Sequence, residues 1–209
     1  MTKFYPVFIN IENQKCVVVG GGSVAERKIK TLLKYGANIT VISPEITENI
    51  KKLIEKGKIK HFRRHYRKGD IKGAVLVVAA TSDSRINAQI LKEARFLINS
   101  ADGENTTEGI KYIVPAIFEK GDLTIAVSTG FPSLSRILRN EISKLYGKEF
   151  ALYLRYIKKA RKEVQKKIPD NKRRQEIFRK IASKKIVSIL KQYGFRQAKK
   201  EIDRIINEA

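Results

Sequence analysis

Short β-branched apolar runs alternate with amphipathic stretches over roughly the first hundred residues. Val17-Val18-Val19 closes a strand over 15–19 and runs directly into Gly20-Gly21-Gly22. Apolar residues at helical spacing then predict a helix over 23–35, stopped at Gly36. A second strand is expected at 38–42, a short helix at 46–56 beyond the break at Pro44, and a third strand at 58–62. The run 74–80 is apolar throughout, as in a parallel strand buried on both faces. A helix at 83–95 and a strand at 96–99 come next. This alternation predicts an α/β fold with a doubly wound parallel sheet and right-handed crossovers.

The rhythm changes after residue 99. The segment 100–109 is polar and turn-rich, and strands are expected at 110–117 and 123–127. Glu119-Lys120-Gly121-Asp122 lies between them, too short for a crossover, so the pair should be antiparallel. Pro132 opens a helix expected to reach about residue 146. The rest reads as helix, with three apolar stripes. Phe150, Leu152, Leu154, Ile157 and Val164 form the first, ended by Ile168-Pro169-Asp170, where Asp170 or Asn171 can cap the next helix. Ile177, Ile181, Ile186, Val187, Ile189 and Leu190 form the second, ended at Gly194; Ala198, Ile202, Ile205 and Ile206 form the third. So small a helical tail would bury its stripes better in a dimer. The expected domains are 1–111, a nucleotide-binding domain, 112–147, a small α+β unit, and 148–209, a helical domain.

The 209 residues are 42% hydrophobic, enough for a real core. No apolar stretch approaches the ~20 residues of a membrane span, and the first residues lack a signal-peptide layout. One cysteine, Cys16, excludes an internal disulfide framework and reads as an inert core thiol. A cytoplasmic location is expected. The net charge of +23 suits nucleic acid, a membrane surface or a polyanionic small substrate. A lysine-rich thermophile composition accounts for many charges but not for their imbalance. From residue 140 onward, 21 Lys/Arg stand against 8 Asp/Glu, much of it in basic pairs on helix surfaces. No aromatic RNA-binding motif interleaves them.

Gly20, Gly22 and Ala25 fit the G-x-G-x-x-A pattern of a dinucleotide site. Gly20 would make the tight turn, Gly22 would admit the pyrophosphate to the backbone, and Ala25 would allow close helix–strand packing. The acid usually found at the end of the second strand is missing. Ser43 stands there, with Pro44 and Glu45 next, so NAD and NADP are not separated. Thr81 falls at the carboxyl edge of the sheet, as a cofactor contact or near a helix cap for which Ser82 and Asp83 compete. Asp102, after the fifth strand at the same edge, is the best general-base candidate. His61 and His65 have metal-ligand spacing but sit on a strand and loop without acidic neighbours, so no metal site is expected. There is no G-x-S-x-G and no zinc-ligand spacing.

Taken together, these segments resemble the precorrin-2 dehydrogenase family, which includes the N-terminal module of siroheme synthase. The resemblance runs in order through Tyr5-Pro6-Val7-Phe8, the glycine run with Glu26-Arg27-Lys28, Val78-Ala79-Ala80-Thr81-Ser82-Asp83 and Asn99-Ser100-Ala101-Asp102. It continues at Val114-Pro115-Ala116-Ile117, Ile125 to Gly130, and Pro132-Ser133-Leu134-Ser135-Arg136. It implies NAD-dependent oxidation of precorrin-2 to sirohydrochlorin by a homodimer: a Rossmann-like domain, a central dimerisation unit and a helical domain. It further implies Asp102 as the functional aspartate and Ser23, Val24, Pro44 and Glu45 as cofactor neighbours. Ser128, Thr129 and Arg136 are the expected substrate contacts. The carboxylate-rich tetrapyrrole suits the basic chain, whereas a membrane or nucleic-acid partner is not expected. Two departures stand out: Phe131-Pro132 shortens the family's usual Gly-x-Ser-Pro, which removes the serine before the proline, and the loop 103–109 is longer than usual. No methyltransferase module is expected. Two alternatives stay open: a bifunctional enzyme that also inserts Fe²⁺ or Co²⁺, and a nucleotide-sensing regulatory module without turnover.

Overall fold

Val17, Val18 and Val19 are at most 1% exposed because their strand lies inside a six-stranded sheet. The structure is a computed structural model and describes residues 4–100 and 110–208. The chain divides into two compact units, one through Ile113 and one from Val114. In the first, β1 (Lys15–Val19), α1 (Ser23–Lys34), β2 (Asn38–Ile42), α2 (Glu48–Glu55) and β3 (Lys60–Phe62) follow one another. β4 (Leu76–Ala79), α3 (Ser84–Glu93), β5 (Leu97–Ser100) and β6 (Ile110–Lys111) complete it. The strand order is β3-β2-β1-β4-β5-β6 and every pairing is parallel.

Strand alternation builds the two layers. Cys16 and Val18 point with Ile39, Val41, Leu76 and Val78 to the face covered by Ala25 and Ile29 of α1 and Ile50 of α2. Val17 and Val19 point with Ile42, Val77, Ala79 and Ile98 to the face covered by Ile90 and Leu91 of α3. Helices on both faces explain why these strands read as unbroken apolar runs. Thr47 caps α2 by accepting from the Ile50 N–H (3.3 Å). Asp83, rather than Ser82, caps α3 by accepting from the Arg85 N–H (2.9 Å).

The expected single strand at 110–117 is two separate pieces. β6 joins the parallel sheet, with Ile110 beside Leu97 and Lys111 beside Ile98. The Tyr112 N–H still donates to the Ile98 carbonyl (3.1 Å), but Pro115, having no N–H, cannot continue a ladder. The second unit therefore has its own hairpin, β7 (Ala116–Lys120) with β8 (Leu123–Val127), antiparallel. The four-residue connection expected there shortens to Gly121-Asp122, since Lys120 pairs with Leu123. Gly121 at φ +58° takes the positive torsion that such tight hairpin turns need.

α4 (Pro132–Leu145) packs on this hairpin, and α5 (Lys148–Lys167), α6 (Asn171–Ile181) and α7 (Lys184–Asn207) form a bundle. Asp170 caps α6, accepting from the Lys172 N–H (2.8 Å). The expected second stripe is divided, because Ser183 ends one helix and caps the next, accepting from the Ile186 N–H (3.5 Å). Gly194, at φ +77° and ψ 177°, leaves the helical path inside α7, so the helical run of the second stripe ends there as expected and a further run carries the third. The tail's stripes do not wait for a second copy. Tyr153, Val164, Ile177, Ile181, Ile186, Leu190, Ala198 and Ile202 bury one another, and the Tyr153 hydroxyl donates to the Ile181 carbonyl (2.9 Å). An exposed apolar face lies instead on α4, at Leu134, Ile137, Leu138 and Leu145.

Candidate dinucleotide-binding site

Three consecutive glycines join β1 to α1, and each meets a different constraint. Gly20 has φ +119°, and a Cβ there would lie 2.1 Å from the Ala80 carbonyl oxygen. Its N–H donates to the Ile42 carbonyl (2.9 Å), so the turn is drawn between the ends of β2 and β4. At Gly21 a Cβ would lie 1.9 Å from the Glu45 carbonyl oxygen and 2.9 Å from Ser43 Oγ. The Gly21 carbonyl accepts from the Thr47 N–H (3.0 Å). Gly21 therefore docks the β2–α2 loop, a role the dinucleotide motif does not assign; a third glycine inside G-x-G was the available signal. A Cβ at Gly22 would meet nothing within 4 Å.

Gly22 is also the N-cap of α1, and no side chain caps that helix. The N–H groups of its first turn, from Ser23, Val24 and Ala25, have no intrahelical acceptor by geometry. They lie at the positive end of a twelve-residue helix dipole. Ser23 and Val24 are exposed, and Ala25 is fully buried against the sheet. The acid nearest this end, Glu26, is held ionised below its usual range by Lys30 Nζ (2.5 Å) and then the Thr47 hydroxyl (2.7 Å). The Thr47 bond, with that from Asn49 Nδ2 (2.9 Å), also ties α1 to α2.

Ser43 is buried at the end of β2. Its hydroxyl donates to the Glu45 carbonyl (2.6 Å), and its own carbonyl accepts from His61 Nε2 (2.9 Å). That contact needs a hydrogen on His61 Nε2; His65 is exposed. Pro44 and Glu45 are exposed. At the end of β4 the Thr81 hydroxyl sits 2.8 Å from Oδ1 of the fully buried Asn87, whose Nδ2 donates to the Thr81 carbonyl (3.0 Å). Asn87, which no motif in the sequence singles out, thus fixes the strand end. Gly20, Gly21, Ser43, Glu45 and Thr81 converge at the carboxyl edge, where β1 and β4 flank the topological switch point of the sheet. A cavity of ≈ 230 Å³ lined by Ile71, Ala74, Val77, Ala94 and Phe96 lies at the beginning of β4 and β5 and takes no part in this crevice.

Asp102 lies outside the described residues. In the second unit Ser128 is exposed. The Thr129 N–H donates to Ser135 Oγ (3.0 Å), and the two hydroxyls lie 2.9 Å apart. The exposed Arg136 donates through Nε to the Pro132 carbonyl (3.3 Å). Ser128, Thr129 and Arg136 thus gather at one strand-to-helix turn, latched by the buried Ser135.

A loop with open backbone at a helix N-terminus, on the switch point of a 3-2-1-4-5-6 sheet, is suited to a dinucleotide pyrophosphate. A family profile described as "Putative NAD(P)-binding" matches residues 7–116. The siroheme synthase of Methylobacillus flagellatus is 31% identical over 88% of this chain, and that of Chromobacterium violaceum 33% over 80%. The chain spans only 40% and 36% of the lengths of those relatives. The solved structure of "SirC, precorrin-2 dehydrogenase" superposes with a TM-score of 0.78 at 25% identity, covering 96% of this chain and 100% of that one.

Proposed function

Since the chain belongs to this NAD(P)-binding family, we propose that it is an NAD-dependent dehydrogenase that oxidises precorrin-2 to sirohydrochlorin. The observation that carries the proposal is the likeness to a precorrin-2 dehydrogenase over the whole of that chain, joined to a glycine loop with open space at Gly22. When bound, NAD supplies a hydride acceptor. The remaining work falls to this chain's residues. The Gly22 backbone and the first turn of α1, at Ser23 and Val24, hold the pyrophosphate, while Gly20 and Gly21 keep the loop closed on its neighbours. Ser43, Pro44 and Glu45 border the adenosine, and Thr81 borders the nicotinamide half. Asp102 takes the proton that leaves the substrate with the hydride. Ser128, Thr129 and Arg136 contact the carboxylate-rich macrocycle, which the net charge of +23 attracts.

The assembly that goes with this activity is a homodimer. No described helix is long and apolar enough to cross a membrane. The exposed apolar face of α4 suits a second copy of the chain, with 112–147 as the dimerisation unit and 148–209 as a helical domain, in the cytoplasm. The test is an anaerobic assay with fresh precorrin-2 and NAD, following NADH and the sirohydrochlorin spectrum together. Wild type should turn over, and Asp102→Asn should lose at least about a hundredfold in kcat with NAD binding intact. Tight NAD binding without wild-type turnover would overturn the enzyme in favour of a nucleotide-sensing module.

A further inference from the structure

An adenine ribose is read at the end of the second strand: an acid there takes the 2′-hydroxyl and repels a 2′-phosphate, whereas a nearby arginine accepts the phosphate. Here that position is Ser43, whose hydroxyl and carbonyl are both engaged within the protein, by Glu45 and His61. Its side chain is small and uncharged. The register pairs Ile42 with Phe62, and the Ser43 N–H donates to the Phe62 carbonyl (3.2 Å). Arg63 follows directly on the carbonyl that Ser43 binds, just past the end of β3, where the Arg64 N–H turns back to the same Phe62 carbonyl (2.9 Å).

Two arginines come directly after β3, and they are treated differently. Arg64 makes a bidentate bond to Asp70 (2.7 and 2.8 Å), whose Oδ2 also accepts from the Arg67 N–H (2.8 Å). Asp70 is thereby saturated. Arg63 is exposed and has no carboxylate partner among the described residues. The opposing group is Glu45, exposed in the β2–α2 loop with its backbone packed against Gly21.

We infer that Arg63 lets this site accept a 2′-phosphorylated dinucleotide as well as NAD, with Glu45 as the counterweight that favours the free hydroxyl. The inference rests on the dinucleotide site proposed above and deepens it. The test is direct titration of the purified chain with NADH and with NADPH, read by nicotinamide fluorescence and calorimetry, without substrate. Wild type should bind the two within about tenfold of each other. Arg63→Ala should weaken NADPH about 10- to 100-fold, as loss of a charge-assisted contact does, and leave NADH within about twofold. Added salt should weaken NADPH more steeply than NADH. Glu45→Gln should shift the ratio toward NADPH. Wild-type NADPH binding more than about a hundredfold weaker than NADH, or equal losses for both in Arg63→Ala, would overturn the inference while leaving the dinucleotide site standing. Failure to bind either would overturn both.

Discussion

Alanine placed at each of the three loop glycines should separate folding from binding. At Gly21 the new methyl would sit 1.9 Å from the Glu45 carbonyl oxygen, and backbone cannot rotate away as a flexible side chain could. Overpacking of this kind costs about 3 kcal/mol or more, a fall of roughly 10 °C in Tm. Gly20→Ala should do at least as much harm, because it adds a φ of +119° to a 2.1 Å approach on Ala80. Gly22 differs. Its φ of −81° suits any residue and its Cβ position is open. A lost N-cap preference of about 1 kcal/mol is roughly offset by the reduced freedom of the unfolded chain, about 0.4–1 kcal/mol. Gly22→Ala should therefore keep its Tm within about 4 °C of wild type, yet bind NADH about 10- to 100-fold more weakly as the methyl displaces the phosphate. Thermal unfolding and NADH titration on the same samples provide the comparison. Wild-type NADH affinity in Gly22→Ala would refute the placement of the pyrophosphate, and a wild-type Tm in Gly21→Ala would refute the docked loop.

Cys16 is fully buried, and burial pushes its thiol up to about 11, so native protein should resist a thiol reagent at about pH 8 and label at once in denaturant; fast native labelling would contradict the central position of β1. The Asp70 carboxyl is held below its ordinary 3.8, chiefly by the hydrogen bonds from Arg64. Its depressed folded value means that its stabilisation is present above the ordinary value and is lost as pH falls through the folded one. Asp70→Asn should therefore be less stable than wild type at pH 7 and lose less between about pH 4 and pH 2, measured by denaturant midpoints; parallel pH curves for the two proteins would refute the pairing.

Much of the site could be read because its logic is local. A β-branched strand, a glycine turn and an amphipathic helix fall within about twenty consecutive residues, and the torsional freedom of Gly20 and the smallness of Ala25 are properties of single residues. Apolar periodicity likewise placed β1, β2 and α1 nearly to the residue, and β4 and α3 to within two residues. β6 escaped because a two-residue strand has no period, and the join at Ser183 escaped because apolar spacing runs through it.

What the sequence by itself determined was the element order, the doubly wound parallel sheet and the location of the glycine turn between β1 and α1, since those stem from strand and helix periods and from glycine's missing side chain. The tertiary structure alone decided which distant atoms meet: Gly21 against Glu45, Gly20 against Ala80, Asn87 holding Thr81, Arg64 rather than Arg63 taking Asp70, and the tail's stripes closing on themselves. Those pairings depend on strand register and on the crossovers that bring separated segments to one edge of the sheet. Residue spacing along the chain does not carry that information, because it arises only when the layers pack.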